Sequence, residues 1–384
     1  MPRSSNLTLD SLSGIKSKLK YIVEDESTAR NAKIENCIGS VKVPVGIAGP
    51  LSIRGPNGLD GIYHAPLATC EPTLVASCAR GCKVINASGG VQFKLLRDNM
   101  TRAPVFWFSS TEDAASFYDL VPDLFSEFQQ IAQSTSNYAR LMKLEPQIVG
   151  NTVHVLFEYH CGNAAGQNMV TLATQKVCDE FATSNTALVM KIKNITVEGQ
   201  RVSDKNLSWG NILNSRGVSV IAWATITKKD CQSVLGCSTW DLYEVVRNSK
   251  EAATRNGQLG YSIDQANIVT AMFIACGQDA ASVAESAWSH LTVEFDPQTK
   301  GLSVSTYLPS LPVGTVGAGT ILDTQREALE LLGCTGSGSK GRLAGLIASF
   351  ALALDMSTVA AITNNTFAAS HRKFARSSGE SSKL

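Results

Sequence analysis

Charge is scarce in this sequence. Charged residues make up 17% of the 384 residues, and the formal net charge is +1 at pH 7. A balance this even gives no electrostatic basis for binding nucleic acid. No apolar run reaches the roughly 18 residues that a membrane span needs, and the opening residues lack the apolar core of a signal peptide. We therefore expect a cytoplasmic protein without nucleic-acid or membrane partners.

Cysteine occurs ten times but never in a pattern that forms a metal site or a disulfide framework. The ten residues lie mostly among apolar neighbours, without a CxxC pair or a Cys/His ligand spacing. Zinc sites and disulfide scaffolds depend on such spacings. The sequence therefore predicts reduced, buried thiols and no metal.

The pattern of apolar residues predicts an α+β fold. Hydrophobic residues make up 44% of the chain, enough for a large core split into two domains. A helical arm is predicted over 1–33, a large mixed domain over 34–102 and 201–369, and a flexible flap over 370–384. The order β-α-β-β-α over 103–200 is typical of an inserted ferredoxin-like small domain.

Two apolar stretches predict buried helices. Residues 265–288 are apolar nearly all round, which indicates the central, buried helix of the large domain. Residues 345–356 are the longest apolar stretch, and we expect a core helix there as well.

Four polar residues occupy unusual places. Glu71 and Asp279 lie in segments otherwise fit for a core, where an unpaired carboxylate is costly and its pKa rises. Pro72 suits the first position of a helix. Purely structural roles are open at this point: a helix-capping acid at 71, a buried ion-paired acid at 279, and solvated side chains at Lys205 and His371.

Two glycine-rich stretches could approach a ligand closely. "CGNAAGQNM" (161–169) leads from a strand into a helix, so bare amides could face an anion there. "VGTVGAGT" (313–320) would let the backbone lie against a ligand. Neither is a dinucleotide-binding GxGxxG fingerprint, and ordinary tight turns are an equal alternative for both.

Taken together, these stretches resemble the 3-hydroxy-3-methylglutaryl-CoA (HMG-CoA) reductase family, in its eukaryotic-type catalytic portion without the membrane anchor. The motifs "ENCIGSVKVPVGIAGPL", "LATCEPTLVAS", "GNAAGQNM", "DKN", "ANIVTAMFIACGQDAA" and "LPVGTVGAGT" fall in family order. The resemblance runs from about residue 34 to 371. It implies two hydride deliveries from NADPH, or from NADH, which reduce an acyl-CoA thioester through mevaldehyde to mevalonate.

The resemblance also implies roles for the four unusual residues. Lys205 matches the lysine that stabilises the developing oxyanion, and Glu71 matches the acid that protonates it. Asp279 matches the carboxylate between these two groups. His371 matches the flap histidine that protonates the departing CoA thiolate.

Further matches concern binding and assembly. The implied substrate-binding residues are Arg102, Asp204, Arg247, Asn267, Ser77 and Ser357. The implied cofactor-binding residues are Ser136, Asn137, Asn163, Ala165, Gly166, Gln167, Asn168, Val316, Gly317 and Gly319. In relatives the site is shared across a dimer, so a homodimer or a dimer of dimers is expected.

Some contact positions depart from the family pattern. Asn137, Asn163 and Asn206 stand where the family has charged residues. The stretch 249–256 also differs from the glycine-rich motif that the family has there. Besides a working reductase, two alternatives are therefore open. One is a repurposed paralogue that acts on another acyl or polyketide-like molecule, such as a non-redox cyclase of secondary metabolism. The other is a non-catalytic binding homologue.

Overall fold

The computed structural model describes residues 14–23, 32, 34–56 and 59–368. His371, the predicted flap and most of the predicted arm lie outside the described residues. The strands are β1 (Val45–Arg54), β2 (Gly61–Ala68), β3 (Val91–Arg102), β4 (Val105–Trp107), β5 (Arg140–Val149), β6 (Thr152–His160), β7 (Asn194–Thr196), β8 (Gly217–Ile226), β9 (His290–Phe295) and β10 (Leu302–Leu311).

The helices lie between pairs of strands or single strands along the chain. They are α1 (Leu74–Ala87), α2 (Thr111–Leu120), α3 (Phe125–Gln133), α4 (Gln167–Ala182), α5 (Asn185–Val189), α6 (Trp209–Leu213), α7 (Lys228–Asp230), α8 (Thr239–Arg255), α9 (Gln265–Ala275), α10 (Val283–Ser286), α11 (Asp323–Leu331) and α12 (Ser339–Thr363). Short 3₁₀ segments lie at Val121–Leu124, Ala280–Ser282 and Ala318–Ile321, and a π-helical turn lies at Cys231–Leu235. The predicted α+β class is confirmed.

Strand β3 joins the large and small parts of one sheet. In the described chain the principal strand order is β7-β4-β6-β3-β8-β10-β9. Residues 92–99 of β3 pair with β8, whereas residues 100–102 pair with β6. Because Arg102 ends this strand, it lies where the two parts meet.

The small part has the ferredoxin-like strand order. Strand β4 lies between β7 and β6, and β5 pairs with the other edge of β6, all antiparallel. The three-residue strand β7 adds a last strand, which the sequence did not predict, to the predicted β-α-β-β-α order. A separate core holds this part together, with contacting rings from Phe106, Phe117, Phe128, Phe157 and Phe181. The domain boundaries themselves stay predictions.

Helix α12 forms the centre of the large core. It is long and apolar enough to cross a membrane, but 94% of its most apolar stretch is buried inside the protein. Helix α1 packs tightly against it at Gly81, where an added Cβ would lie 1.7 Å from the carbonyl oxygen of Ala353. Only glycine permits this approach, so the helix that follows Glu71 has a fixed position against the core.

The prediction of one helix over 265–288 is wrong in extent. Helix α9 ends at Ala275, and the chain turns at Gly277, whose φ is 68°. An added Cβ on Gly277 would lie 2.5 Å from backbone atoms of Gly319. The apolar pattern therefore spans a buried helix and a buried turn, and the most deeply buried helix is α12 instead.

Candidate active site

Lys205 and Asp279 form an ion pair next to the small part of the molecule. Their Nζ and Oδ2 atoms lie 2.9 Å apart, and the two side chains are 43% and 42% exposed. The hydrogen bond to Asp279 raises the pKa of the Lys205 ammonium above its usual value. Lys205 is therefore a protonated cation that a carboxylate holds in place.

Asp279 also begins a short helical segment. Its side chain accepts a hydrogen bond from the amide of Ala281 at 3.0 Å, which caps the 3₁₀ turn Ala280–Ser282. The purely structural roles considered for the two acids were helix capping by Glu71 and a buried ion pair for Asp279. The capping acid is instead Asp279, because α9 ends at Ala275 and a new helical turn starts at Ala280.

Glu71 is exposed in this chain, so its predicted burial is wrong, as it is for Asp279. Pro72 and Thr73 form a turn, and helix α1 begins only at Leu74, with Thr73 in the left-handed region at φ 79°. Glu71 thus precedes the helix instead of lying in its first turn. Its side chain accepts a hydrogen bond from Asn267 Nδ2 at 2.5 Å, so the start of α9 fixes its direction.

A cleft of about 210 Å³ opens beside this Glu71–Asn267 pair. Ser77, Arg80 and Phe367 are among its lining residues. Its walls are therefore the beginning of α1, the beginning of α9 and the C-terminal half of α12.

Two predicted substrate residues, Ser77 and Ser357, meet at the edge of this cleft. Their hydroxyl oxygens lie 2.9 Å apart. Arg80 donates from Nε to Ser357 Oγ at 2.9 Å and from its terminal nitrogen to the Ser357 carbonyl oxygen at 2.5 Å. Burial lowers the pKa of Arg80 from its usual value, but the group stays a cation. Sequence reasoning missed Arg80, although residues three apart, such as 77 and 80, share one face of a helix.

Arg102 and Asp204, also predicted to bind substrate, contact each other. The two side chains approach within 3.6 Å, and Arg102 also donates to Glu198 at 3.3 Å. Asp204 makes a second ion pair, at 2.9 Å, with the fully buried Arg216. No motif indicated Arg216, because its partners Asp204 and Glu285 lie in other segments of the chain.

The two glycine-rich stretches meet. The amide of Thr315 donates to the Asn163 carbonyl oxygen at 2.8 Å, and Ala164 forms a parallel bridge with Val316. An added Cβ on Gly314 would lie 2.4 Å from the amide nitrogen of Ala165. The stretches therefore form one continuous backbone surface.

The Asn163 side chain is bound on both sides within this surface. Its Nδ2 donates to the Gly336 carbonyl oxygen at 2.7 Å, and its Oδ1 accepts from the Lys340 amide at 3.5 Å. The asparagine thus ties the loop to the start of α12. Its predicted role in cofactor binding stays a prediction.

Helix α4 presents its N-terminus at the same place. Gly166 precedes the helix with φ 92°, and no side chain among the described residues caps it. Gln167 Nε2 donates to Ser282 Oγ at 3.3 Å, which places the helix start beside the segment that Asp279 caps. Bare amides and the positive end of the helix dipole suit an anionic group such as a phosphate.

The remaining predicted cofactor residues flank this helix start or the 313–320 loop. Ser136 Oγ donates to the sulfur of Met169 at 3.2 Å, whereas Asn137 and Asn168 are exposed. Gly317 is exposed as well, and Gly319 lies against Gly277.

Arg247 is separate from the other predicted residues. Its side chain is 55% exposed, and it contacts Glu244 and the ring of Tyr243 on its own helix.

The Glu71–Asn267 pair and the Lys205–Asp279 pair lie at opposite ends of α9. Asn267 is near its start, and the Lys205–Asp279 pair follows its end at Ala275. Eight residues of helix rise about 12 Å. No hydrogen bond or ion pair between described residues joins Glu71 to Lys205.

A family model supports the resemblance over nearly the whole chain. The model of the hydroxymethylglutaryl-coenzyme A reductase family matches residues 6–376. The chain belongs to the HMG-CoA reductase family. It is 36% identical to the 3-hydroxy-3-methylglutaryl-coenzyme A reductase of Methanocaldococcus jannaschii, over 92% of this chain and 87% of that protein. It is 37% identical to the same enzyme of Aeropyrum pernix, over 96% of this chain and 88% of that protein.

Solved HMG-CoA reductase structures share the fold. The class II enzyme of Streptococcus pneumoniae, bound to NADPH in open conformations, matches with a TM-score of 0.66 over 93% of each chain. The sequence identity is 17%, so this likeness concerns the fold alone.

Proposed function

We propose that this chain is an NAD(P)H-dependent reductase that converts HMG-CoA to mevalonate. The observation that carries the proposal is the Lys205–Asp279 ion pair, at 2.9 Å, beside the uncapped N-terminus of α4. A fixed cation is thus adjacent to a surface that suits a phosphate-bearing cofactor. Membership of the reductase family supports the same assignment.

The residues present fit a nicotinamide cofactor. No side chain among the described residues caps the start of α4, so its bare amides and the positive end of the helix dipole suit the phosphates of the cofactor. Gly166 and Gly314 let the backbone pack closely against Cys161 and Ala165 around this helix start. When bound, the cofactor would supply hydride to the carbonyl carbon. Asn137 brings no positive charge to the cofactor site, so NADH and NADPH are both candidates.

Each candidate residue has a task that its surroundings suit. The Lys205 ammonium would stabilise negative charge on the thioester oxygen and later on the aldehyde oxygen. Glu71, oriented by Asn267, would supply the proton. In balance, one thioester, two reduced nicotinamides and two protons give mevalonate, CoA thiol and two oxidised nicotinamides. The role of His371 as proton donor to the thiolate stays a prediction.

The separation of Glu71 from Lys205 supports a site between two copies of the chain. The Glu71–Asn267 pair lies near the start of α9 and the Lys205–Asp279 pair follows its end, with about 12 Å of helix rise between Asn267 and Ala275. A homodimer would place the Glu71 cleft of one protomer against the Lys205–Asp279 pair of its partner.

The direct test mixes the protein with HMG-CoA and either NADPH or NADH, and follows loss of reduced-nicotinamide absorbance together with release of free thiol. We expect about two nicotinamides oxidised for each CoA released. If neither cofactor is oxidised above background while the protein is folded, the proposed function is wrong.

Replacing Arg80 with methionine is expected to raise KM for HMG-CoA. Arg80 lines the cleft and holds Ser357 through two hydrogen bonds. Methionine removes both the bonds that orient Ser357 and the positive charge that Arg80 offers an anionic substrate in the cleft, and loss of one charge-assisted hydrogen bond to substrate would raise KM roughly tenfold to hundredfold. Steady-state kinetics at saturating cofactor measures the effect. The matched control is Arg54→Met, which removes an exposed arginine that donates to the Gly89 carbonyl oxygen outside the cleft. Equal KM values for both variants would contradict a role for Arg80 in substrate binding.

A further inference from the structure

Arg216 and Glu285 form an ion pair that is fully shielded from solvent. Both side chains are 0% exposed, and Arg216 Nη1 lies 2.7 Å from Glu285 Oε1. A second guanidinium nitrogen of Arg216 lies 2.9 Å from Asp204. The planar guanidinium thus spans two carboxylates, a geometry that the single ammonium of a lysine does not reproduce.

Both of these carboxylates are linked to the backbone around Lys205. Glu285 Oε1 accepts a hydrogen bond from the Lys205 amide at 3.4 Å, and Asp204 is the preceding residue. The guanidinium of Arg216 therefore contacts both Asp204, within the segment around Lys205, and Glu285, which accepts from the Lys205 amide.

This segment has a conformation that needs such anchors. Ser203 has φ 49° and Lys205 has φ 59°, both in the left-handed region that side chains other than glycine seldom adopt. Strained backbone persists only where surrounding contacts determine it, and such strain is concentrated at functional sites.

The ion pair is not arranged for stability alone. Arg216 Nε and Nη2, Asp204 Oδ1 and Glu285 Oε2 are all buried without a hydrogen-bond partner among the described residues, so the 2.9 Å contact between Arg216 and Asp204 is an ion pair without hydrogen-bond alignment. Burial of charge is costly, and a buried pair with unsatisfied atoms is weak support for a purely stabilising role. If the ion pair serves to fix the backbone of residues 203–205, this accounts both for the burial of Arg216 and Glu285 and for the positive φ angles of Ser203 and Lys205.

We infer that Arg216 and Glu285 are positioning residues that hold the Lys205 backbone so that its ammonium reaches Asp279 and the reacting oxygen. The inference rests on the proposed function for its kinetic consequence. The contact of Glu285 with the Lys205 amide is independent of that function and can be measured separately.

The test compares the wild-type protein with Arg216→Lys and Glu285→Gln. The lysine keeps a buried positive charge but cannot bond both carboxylates, and the glutamine keeps the shape but not the charge. We expect kcat to fall about 10²-fold in Arg216→Lys, the size of loss that a misplacement of about 1 Å can cause. KM for the cofactor should change less than twofold. Site-resolved hydrogen exchange should show faster exchange of the Lys205 amide in both variants.

Arg97→Lys is the matched control. Arg97 pairs with Glu158 at 2.8 Å on the neighbouring strands, but it does not contact the Lys205 segment. The control is expected to keep wild-type kcat and wild-type exchange at Lys205. Thermal unfolding of every variant shows whether it is folded under assay conditions.

The outcomes separate the two proposals. A wild-type protein that oxidises no cofactor contradicts the function, and amide exchange at Lys205 then still decides the positioning role. Wild-type kcat in Arg216→Lys, or unchanged exchange at Lys205 in both folded variants, would overturn the positioning role while the function stands.

Discussion

Lys205→Met is expected to lower kcat for HMG-CoA reduction by about 10²–10³-fold, the range found when one donor that stabilises an oxyanion is removed. Methionine has nearly the length of lysine but no charge, so the carbonyl oxygen would lose its cation during each hydride transfer. KM for the thioester should change much less, because the charge on this oxygen develops only in the transition state. Steady-state kinetics with saturating cofactor measures both constants.

A loss of fold would not explain this result. The Lys205–Asp279 pair is about two fifths exposed, and exposed ion pairs contribute at most about 1 kcal/mol to stability. The matched control is Lys143→Met, since Lys143 pairs with Glu145 at 2.7 Å and is 51% exposed on strand β5. If Lys205→Met turns over like the Lys143→Met control, Lys205 is not the oxyanion-stabilising group.

The sequence predicted those features that local pattern and motif order determine. The ferredoxin-like insertion followed from its order of strand and helix patterns, whereas the three-residue strand β7 and the five-residue helix α5 were too short to be predicted. The two glycine-rich stretches were singled out 150 residues apart, and the structure joins them through the Asn163–Thr315 hydrogen bond. Glycines that permit close backbone contact are visible in a sequence even where their partners are not.

Burial was harder to predict, because it depends on packing between distant segments. Glu71 lies between small and apolar residues, yet the turn at Pro72 and Thr73 moves it out of the first helical turn. Glu285 was overlooked within 265–288, which was predicted to be one apolar helix, although it is fully buried against Arg216 from 69 residues away. A carboxylate's neighbours in sequence therefore say little about its neighbours in space.

Asp355 is another charge that the sequence analysis did not single out. It lies in the middle of the apolar helix α12 and is fully buried. Its Oδ1 accepts a hydrogen bond from the Asp264 amide at 2.8 Å, at the start of the helix that carries Asn267. Its Oδ2 is buried without a hydrogen-bond partner among the described residues. Burial first, and the charge of Asp264 in addition, raise the pKa of Asp355 from 3.8 to about 7, against the opposing effect of nearby amides.

This shift predicts a loss of stability with rising pH. Between 3.8 and about 7 the folded protein keeps a proton on Asp355, whereas the unfolded chain has released it. The unfolded state then binds fewer protons, so the free energy of unfolding falls as the pH rises through this window. At 1.36 kcal/mol for each pKa unit, the full contribution is roughly 4 kcal/mol, lost by about pH 8.

Asp355→Asn should remove this contribution. Asparagine keeps an oxygen that can accept from the Asp264 amide, but it has no proton to lose. We expect the free energy of unfolding of the variant, from denaturant titrations between about pH 5 and pH 8, to exceed that of the wild type increasingly as the pH rises. Asp119→Asn, an exposed helical position, is the control and should follow the wild-type curve. Parallel curves for the wild type and Asp355→Asn would show that Asp355 is already ionised throughout this range, and that the helix start above it accommodates a buried carboxylate.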